Sequence, residues 1–431
     1  MEEIYTEIDT LGKAKIDSRI RFRMFVNDSE RVLYRVNLTD VLKCIKNGRE
    51  PVSFEKAGPR RKIYFDPSKT RCAIVTCGGL SPGLNDVIRA IVLELYYIYN
   101  VHNIVGIKYG LQGFIPDYGH EVVDLKPSRV RDIHQKGGTI LGTSRGKQDI
   151  QEIVDSLERM NINILFMIGG DGTLTAAYKI YEEIKKRGLK ISIIGIPKTI
   201  DNDIHMVDKT FGFDTAVDVA AKVITGAHSE ATGAYNGVGI VKVMGRVSGF
   251  IAAAATLALK DVNFCLVPEI DFDLYGENGL LSALKKRLMD RRHAVIVVAE
   301  GAGQKFFNLK IDSQSHENPK LGDIGRFLKE KIEEEYKREN FPVTIKYIDP
   351  SYYIRSMPAN SSDHILCGYL AQMAVHAAMA GKTGMVISYI NNQFVHVPIK
   401  EVIKRRKMLD AHGELWMAVL QSTGQPSLKN E

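Results

Sequence analysis

The chain has 431 residues, 45% hydrophobic and 25% charged, with a formal net charge of +7. That length and apolar content exclude a disordered chain and predict a sizeable core, in two domains or one large composite one. The mild positive excess suits an anionic substrate, and no basic stripe with interleaved aromatics points to nucleic acid.

Residues 1–70 are mixed and charged, with "NGREP" and "EKAGPRRK" as loop signals. They read as an N-terminal extension packed on the main body, with strand content in "FRMFV" and "RVLYRVNL". The start, "MEEIYTEIDT", is acidic and lacks the apolar stretch of a signal peptide. From residue 71 a rhythm begins. "CAIVTC" is a short β-branched run, the mark of a buried parallel strand. "DVIRAIVLELYYIYN" places Val87, Ile88, Ile91, Val92 and Leu95 on one helical face. "NIVGIKYG", "INILFMI" and "KISIIGIP" read as strands, and "TLTAAYKIYEEIKKRG" as a helix capped at Gly188. "GVGIVKVMG" then leads into "FIAAAATLAL", an apolar run well short of the roughly 20 residues of a membrane span. "AVIVVAEGAG" precedes the charged helix "IGRFLKEKIEEEYKREN", and "VTIKYIDP" precedes "SSDHILCGYLAQMAVHAAMAG". "GMVISYINNQFVHVPI" suggests a hairpin at Asn391-Asn392. The basic run 400–409, "KEVIKRRKML", reads as a solvated helix face. Cys44, Cys72, Cys77, Cys265 and Cys367 form no CxxC pair, and most lie in apolar runs. They suit reduced, buried thiols of a cytoplasmic protein rather than a disulfide frame or zinc site.

Strand–helix alternation over more than 300 residues predicts an α/β protein. Its two doubly wound, mainly parallel sheets would face across an active-site cleft. The first domain would cover residues 71–212 with a return segment at about 355–400, the second residues 213–354, and a helical tail residues 401–431.

In such sheets ligands bind outside the carboxyl ends of the strands. Four glycine-rich breaks fall there: "GGLSPG" (78–83), "GGDGT" (169–173), "MGRVSG" (244–249) and "AEGAG" (299–303). Glycine lets backbone N–H groups approach a ligand, and a following helix adds its positive end. Each loop alone is a common turn; several together suit a polyphosphate. "AGKTG" (380–384) lacks the first glycine of a P-loop, which would fall at His376, and ends a helix rather than opening one. Asp171, Asp201 and Asp203 lie near these loops. They suit a hard divalent cation such as Mg²⁺, with one carboxylate left to accept a proton. Asn202 or Asp203 could instead simply hydrogen-bond the turn. Arg246, Lys346 and Arg355 follow strand ends and could clamp a second anion.

"GGDGT", "PKTIDND", "VKVMGR", "AEGAG" and "YIDPSYYIRS", in that order and spacing, resemble the phosphofructokinases from about residue 71 to 400. The flavour is that of the plant, trypanosomatid and pyrophosphate-dependent enzymes. The resemblance implies that Gly79, Arg145, Gly146, Gly170, Asp171, Gly172 and Thr173 bind the phosphoryl donor, with Asp171 holding Mg²⁺. It implies that Asp201 accepts the proton of the sugar 1-hydroxyl, flanked by Thr199 and Ile200. Met244, Gly245, Arg246, Glu300, Tyr352, Tyr353, Ile354 and Arg355 would bind fructose 6-phosphate. It further implies a glycolytic, allosteric, cytoplasmic homo-oligomer, dimer or tetramer, working on ATP and fructose 6-phosphate without nucleic acid or membrane.

Donor choice turns on Gly172 and Lys198. In the family an aspartate at the position of Gly172 crowds the nucleotide's α-phosphate and marks pyrophosphate users. Glycine removes bulk and charge, so ATP fits. Lys198 also occurs in pyrophosphate users, so pyrophosphate is the alternative donor. Compact bacterial members carry an arginine at the place of Gly237, a histidine at that of Tyr352 and an arginine at that of Lys346, which leaves open how the 6-phosphate is held and which effectors act. A "GGDGT" kinase of the NAD or diacylglycerol type would lack "MGR" and "YIRS". A non-catalytic sugar-phosphate sensor would have lost Asp171 or Asp201.

Overall fold

Runs such as "RCAIVT" and "ILFMIG" carry branched apolar side chains on both faces, so they are stable only when covered on both sides. The computed structural model, which describes residues 4–21, 24–308 and 320–430, buries them in that way. The chain divides into two compact units: residues 1–199, 204–212 and 356–405, and residues 200–203, 213–355 and 406–431.

The first unit is built on a nine-stranded sheet. Its centre is parallel, in the order Met385–Ile390, Ser192–Pro197, Ile164–Gly169, Arg71–Thr76, Asn103–Ile107. The edges are antiparallel: Val122–Asp124 on one side, and Gln393–Pro398, Ser53–Lys56 and Arg31–Leu33 on the other. The expected extension therefore supplies two strands of the main sheet. Of its two strand candidates only "RVL" pairs there, and residues 24–26 stay irregular. Asn391 and Asn392 both take positive φ, 49° and 60°, as a tight hairpin turn requires. The helices Leu84–Leu93 and Ser361–Met379 cover one face, and Ile150–Arg159 and Asp171–Lys186 the other.

The second unit has a four-stranded parallel sheet, in the order Phe264–Leu266, His293–Ala299, Gly237–Val243, Thr344–Ile348. Phe213–Thr232, Phe250–Leu259, Leu280–Arg291 and Ile324–Arg338 are its principal helices, and Glu414–Thr423 packs on Phe250–Leu259.

Two sequence expectations are corrected. Residues 400–409 are not a solvated helix: only Ile399–Val402 is helical, with Ile399, Glu401 and Val402 buried. Beyond it the backbone N–H groups are committed elsewhere, Lys407 N to Asp203 O at 2.8 Å and Leu409 N to Glu269 Oε1 at 2.8 Å. The "PKTIDND" segment also does not stay with the strand it follows. Residues 200–203 belong to the second unit and 204–212 return to the first.

Candidate active site

Register decides which loops meet. In the first unit Thr76 stands opposite Ile168, and Ile168 opposite Ile196. Three adjacent strands therefore end together, roughly 4.8 Å apart, and release the loops at 77–83, 170–173 and 198 at one edge. Cys77 N donates to Ile168 O (2.9 Å) and Lys198 N to Gly169 O (2.9 Å), stitching the loops at their roots. Lys198, almost fully buried, donates from Nζ to Gly79 O at 2.7 Å. Exposed Arg145 brings Nη2 to 3.5 Å from where a Cβ on Gly79 would stand. Thr143 Oγ1 donates to Gly78 O (2.6 Å) and holds this second loop against the first. Gly79, Arg145 and Lys198 thus come together, and Gly146 follows Arg145 in a left-handed conformation (φ +104°).

Gly170 caps the helix Asp171–Lys186 in an extended conformation. Its first turn therefore presents the N–H groups of an anion site, with Asp171 inside that turn. Thr173 folds back over Gly169, where a Cβ would lie 2.1 Å from its Oγ1. At Gly172 a Cβ would meet nothing within 4 Å. The loop is thus open at the position expected to gate the donor. Among the described residues no group of three or more His, Cys, Asp or Glu forms a metal cage. One carboxylate at a helix N-terminus is a set that suits Mg²⁺ held mainly by phosphate oxygens and water.

In the second unit Val243 stands opposite Ala299, and Val241 opposite Ile348. The loops 244–249 and 300–303 and the turn into Ser351–Arg355 leave the sheet at one edge. Gly245 takes φ +123°, and Gly301 N donates to its carbonyl at 3.0 Å. A side chain at Gly245 would strike Ser248 O at 2.4 Å. Glu300 Oε1 lies 3.8 Å from both Arg246 Nε and Arg355 Nη2, so one carboxylate stands between two guanidinium groups. Ser248 Oγ donates to Asp201 O at 3.2 Å.

Asp201 is buried, and burial is the main cause that raises its pKa well above the usual carboxylate range. Nearby Asp203 and Glu300 raise it further, and Arg355 and Arg246 lower it without cancelling the rise. Asn202 sits between the two aspartates at φ +55°, so the chain turns between them. A buried carboxylate with raised proton affinity and two flanking arginines is equipped as a general base beside an anion site.

Other expected residues fall elsewhere. Lys346 does not follow a strand end: it lies within the strand Thr344–Ile348, exposed, and pairs with Glu230 at 3.6 Å. The side chains of Ile354 and Met244 are completely buried, and Ile200 nearly so, which leaves their main chains for any ligand. Tyr352 and Tyr353 are 85% and 60% exposed. Thr199 is held through its carbonyl by Thr210 Oγ1 at 2.7 Å. At Gly237 a Cβ would lie 2.1 Å from Ala231 O, so the arginine of compact relatives has no room here. Sequence reasoning missed Thr143, Ser248 and the backbone of Lys407 as supports. The first two lie inside "GTSRG" and "MGRVSG", and small hydroxyl residues beside glycine turns were the signal for them.

The phosphofructokinase family model matches residues 71–378. The ATP-dependent 6-phosphofructokinase of Borreliella burgdorferi is 51% identical over 447 residues, covering 100% of this chain and 99% of the relative. The ATP-dependent 6-phosphofructokinase of Trypanosoma brucei brucei is 46% identical over 376 residues, covering 86% and 77%. A crystal structure of pyrophosphate-dependent phosphofructokinase from Marinobacter aquaeolei matches with a TM-score of 0.68 at 20% identity, covering 83% of this chain and 92% of that one, a likeness of fold. With five motifs in order, two sheets carrying them at the carboxyl ends of their parallel strands, and these relatives, the chain belongs to the phosphofructokinase family.

Proposed function

We propose that the chain is an ATP-dependent 6-phosphofructokinase. It moves the γ-phosphoryl group of ATP to the 1-hydroxyl of D-fructose 6-phosphate and gives fructose 1,6-bisphosphate and ADP. The observation that carries the choice of donor is the open space at Gly172, which leaves room and no added charge where a nucleotide would run.

Phosphoryl transfer passes through a loose transition state, so position and charge neutralisation dominate. The loop 170–173, with Gly79 and Gly146, would cradle the donor phosphates. Arg145 and Lys198 would neutralise charge on the transferred group. Asp171 would hold Mg²⁺, which supplies further neutralisation of the phosphate oxygens when bound. Arg246 and Arg355, on either side of Glu300, would clamp the 6-phosphate, with main-chain atoms of 244–245 and the exposed Tyr352 and Tyr353 beside them. The sugar O1 attacks phosphorus as the bond to the ADP oxygen breaks, and Asp201 takes the O1 proton. A positioned base of this kind contributes about 10²–10⁴-fold. Cytoplasmic location and a homo-oligomeric state belong to the same proposal, and among the described residues no helix is long and apolar enough to cross a membrane.

The test is product formation from fructose 6-phosphate and Mg²⁺ with ATP and, separately, with pyrophosphate. Turnover with ATP alone is the expected result. Turnover with pyrophosphate alone would make Lys198, not Gly172, the marker of donor choice. Turnover with neither would leave a sugar-phosphate sensor or another acceptor.

A further inference from the structure

The first unit holds a cavity of about 820 Å³ that no step above uses. It lies between the N-terminal segments around residues 10–14 and 25–28, the stretch 60–62 and the strand Lys382–Thr383. Five cations line it, Lys13, Arg60, Arg61, Lys62 and Lys382, against one lining carboxylate, Asp28. Arg60 and Lys382 are more than nine-tenths buried, so these two are built in rather than surface charges that happen to lie nearby.

Their fixing is explicit. Arg60 donates to Glu55 Oε1 (2.6 Å), Gly58 O (2.9 Å) and Lys56 O (2.8 Å), which sets the guanidinium plane. Lys382 Nζ lies 3.0 Å from Glu55. Both cations also reach Asp28 Oδ1, at 2.7 and 3.1 Å, and Asp28 is the exposed partner of the three, its side chain 67% exposed. Lys62 pairs with Asp17 at the rim (2.7 Å). Lys13 and Arg61 are exposed, with no ion pair recorded among the described residues. Counting Glu55 behind the wall and Asp17 at the rim, the five cations exceed the three carboxylates by two charges. That excess equals the charge of one phosphate monoester. Arginine and lysine fixed in advance lose little entropy on capturing such a group. The volume falls within the range of small-molecule sites.

We infer that this cavity binds a small phosphate monoester, its phosphate drawn in by Lys13 and Arg61 and seated on Arg60 and Lys382, where it displaces the Asp28 carboxylate. Lys382 O accepts from Ser192 Oγ at the start of the strand Ser192–Pro197, whereas Lys198 follows that strand's other end, so the site stands apart from the three-loop edge.

The test uses phenyl phosphate, which has no hydroxyl to be phosphorylated. It is titrated calorimetrically into the full chain with a non-hydrolysable ATP analogue present at saturation and with Arg246→Ala/Arg355→Ala removing the proposed 6-phosphate clamp, because fructose 6-phosphate is itself a phosphate monoester and would fill the cavity. One remaining site per chain is expected. Lys13→Glu/Arg61→Glu should weaken it at least about tenfold, the size of one lost charge-assisted contact, with unchanged basal turnover when the clamp is intact. Asp28→Asn should tighten it, because the competing carboxylate is gone. Should the double reversal fail to fold, Lys13→Ala/Arg61→Ala replaces it. Absence of a remaining site, or equal affinity in the unaltered cavity and both cavity variants, would overturn the inference.

Discussion

Gly172→Asp is the sharpest perturbation of the donor side. The substitution places a carboxylate at the second residue of the helix Asp171–Lys186, where a Cβ meets no atom within 4 Å. Nothing needs to move, so folding should not suffer. Removing a helical glycine and adding an anion in the first turn should together stabilise by up to about 1 kcal/mol. Donor binding is another matter. The new charge stands one residue from Asp171, in the turn proposed to cradle phosphates. At an effective dielectric of about 20, a carboxylate held about 5 Å from one phosphate charge costs about 3 kcal/mol. That equals roughly two decades in kcat/KM. The assay is kcat/KM for ATP and for pyrophosphate at fixed fructose 6-phosphate, with a thermal melt of the same preparation. The expected outcome is a loss of about 100-fold or more with ATP, a smaller change with pyrophosphate and an undiminished melting temperature. A folded variant that keeps ATP turnover within threefold would refute the reading of Gly172 as the gate.

Asp201→Asn should lower kcat by about 10²–10⁴-fold with little change in KM for fructose 6-phosphate. It should also raise the melting temperature, because it removes a buried charge that burial, Asp203 and Glu300 all disfavour. Arg355→Ala should raise KM for fructose 6-phosphate steeply. Lys346→Ala should leave it unchanged, since its exposed pair with Glu230 is worth less than about 1 kcal/mol and touches nothing else of the site. Glu94 is a buried group outside the site, with its pKa pushed up by burial from 4.5 to about 7. A raised carboxyl pKa favours the folded state fully below the unfolded value and loses that contribution as pH rises through the folded value. Stability should therefore fall between about pH 4.5 and 7, by about 3 kcal/mol at 1.36 kcal/mol per unit. Denaturant titrations at pH 4.5 and 8 should show Glu94→Gln gaining on the wild type only at the higher pH.

The strands and the loops at their ends were legible because a doubly covered parallel strand must be apolar throughout and must stop at a turn. "RCAIVT", "ILFMIG" and "SIIGIP" obey this, and so the edge carrying Gly79, Asp171 and Lys198 could be read in advance. What pattern could not supply was tertiary commitment. The run at 400–409 has helical spacing, yet the N–H groups of Lys407 and Leu409 bond to Asp203 and Glu269, and local propensity gives way to those partners. The placing of Asp201 was hidden for a related reason. Four residues, 200–203, separate from the strand they follow, and Ser248 Oγ and Lys407 N hold them. Nothing in "TIDND" announces partners 47 and more residues away. Lys346 misled because it was expected at a strand end and instead lies within the strand Thr344–Ile348, exposed and paired with Glu230.

The charges around Asp201 carry one more consequence for the proposed reaction. Arg246 and Arg355 are the two groups that lower its proton affinity, and they are also the proposed clamp for the 6-phosphate. A phosphate dianion bound there screens their field at Asp201, while Asp203 and Glu300 stay in place. The base must then hold a proton more tightly with the sugar bound than without it, so the acceptor strengthens its own base. The pH dependence of kcat/KM reports the free enzyme and that of kcat the complex. The acid limb of kcat should therefore lie at higher pH than that of kcat/KM for fructose 6-phosphate, and both above the ordinary carboxylate range. Arg246→Ala should shrink the gap, because one of the two screened charges is gone beforehand. The two profiles at saturating ATP and Mg²⁺ settle it: coincident limbs, or the reverse order, would mean that the arginines do not couple the phosphate to Asp201.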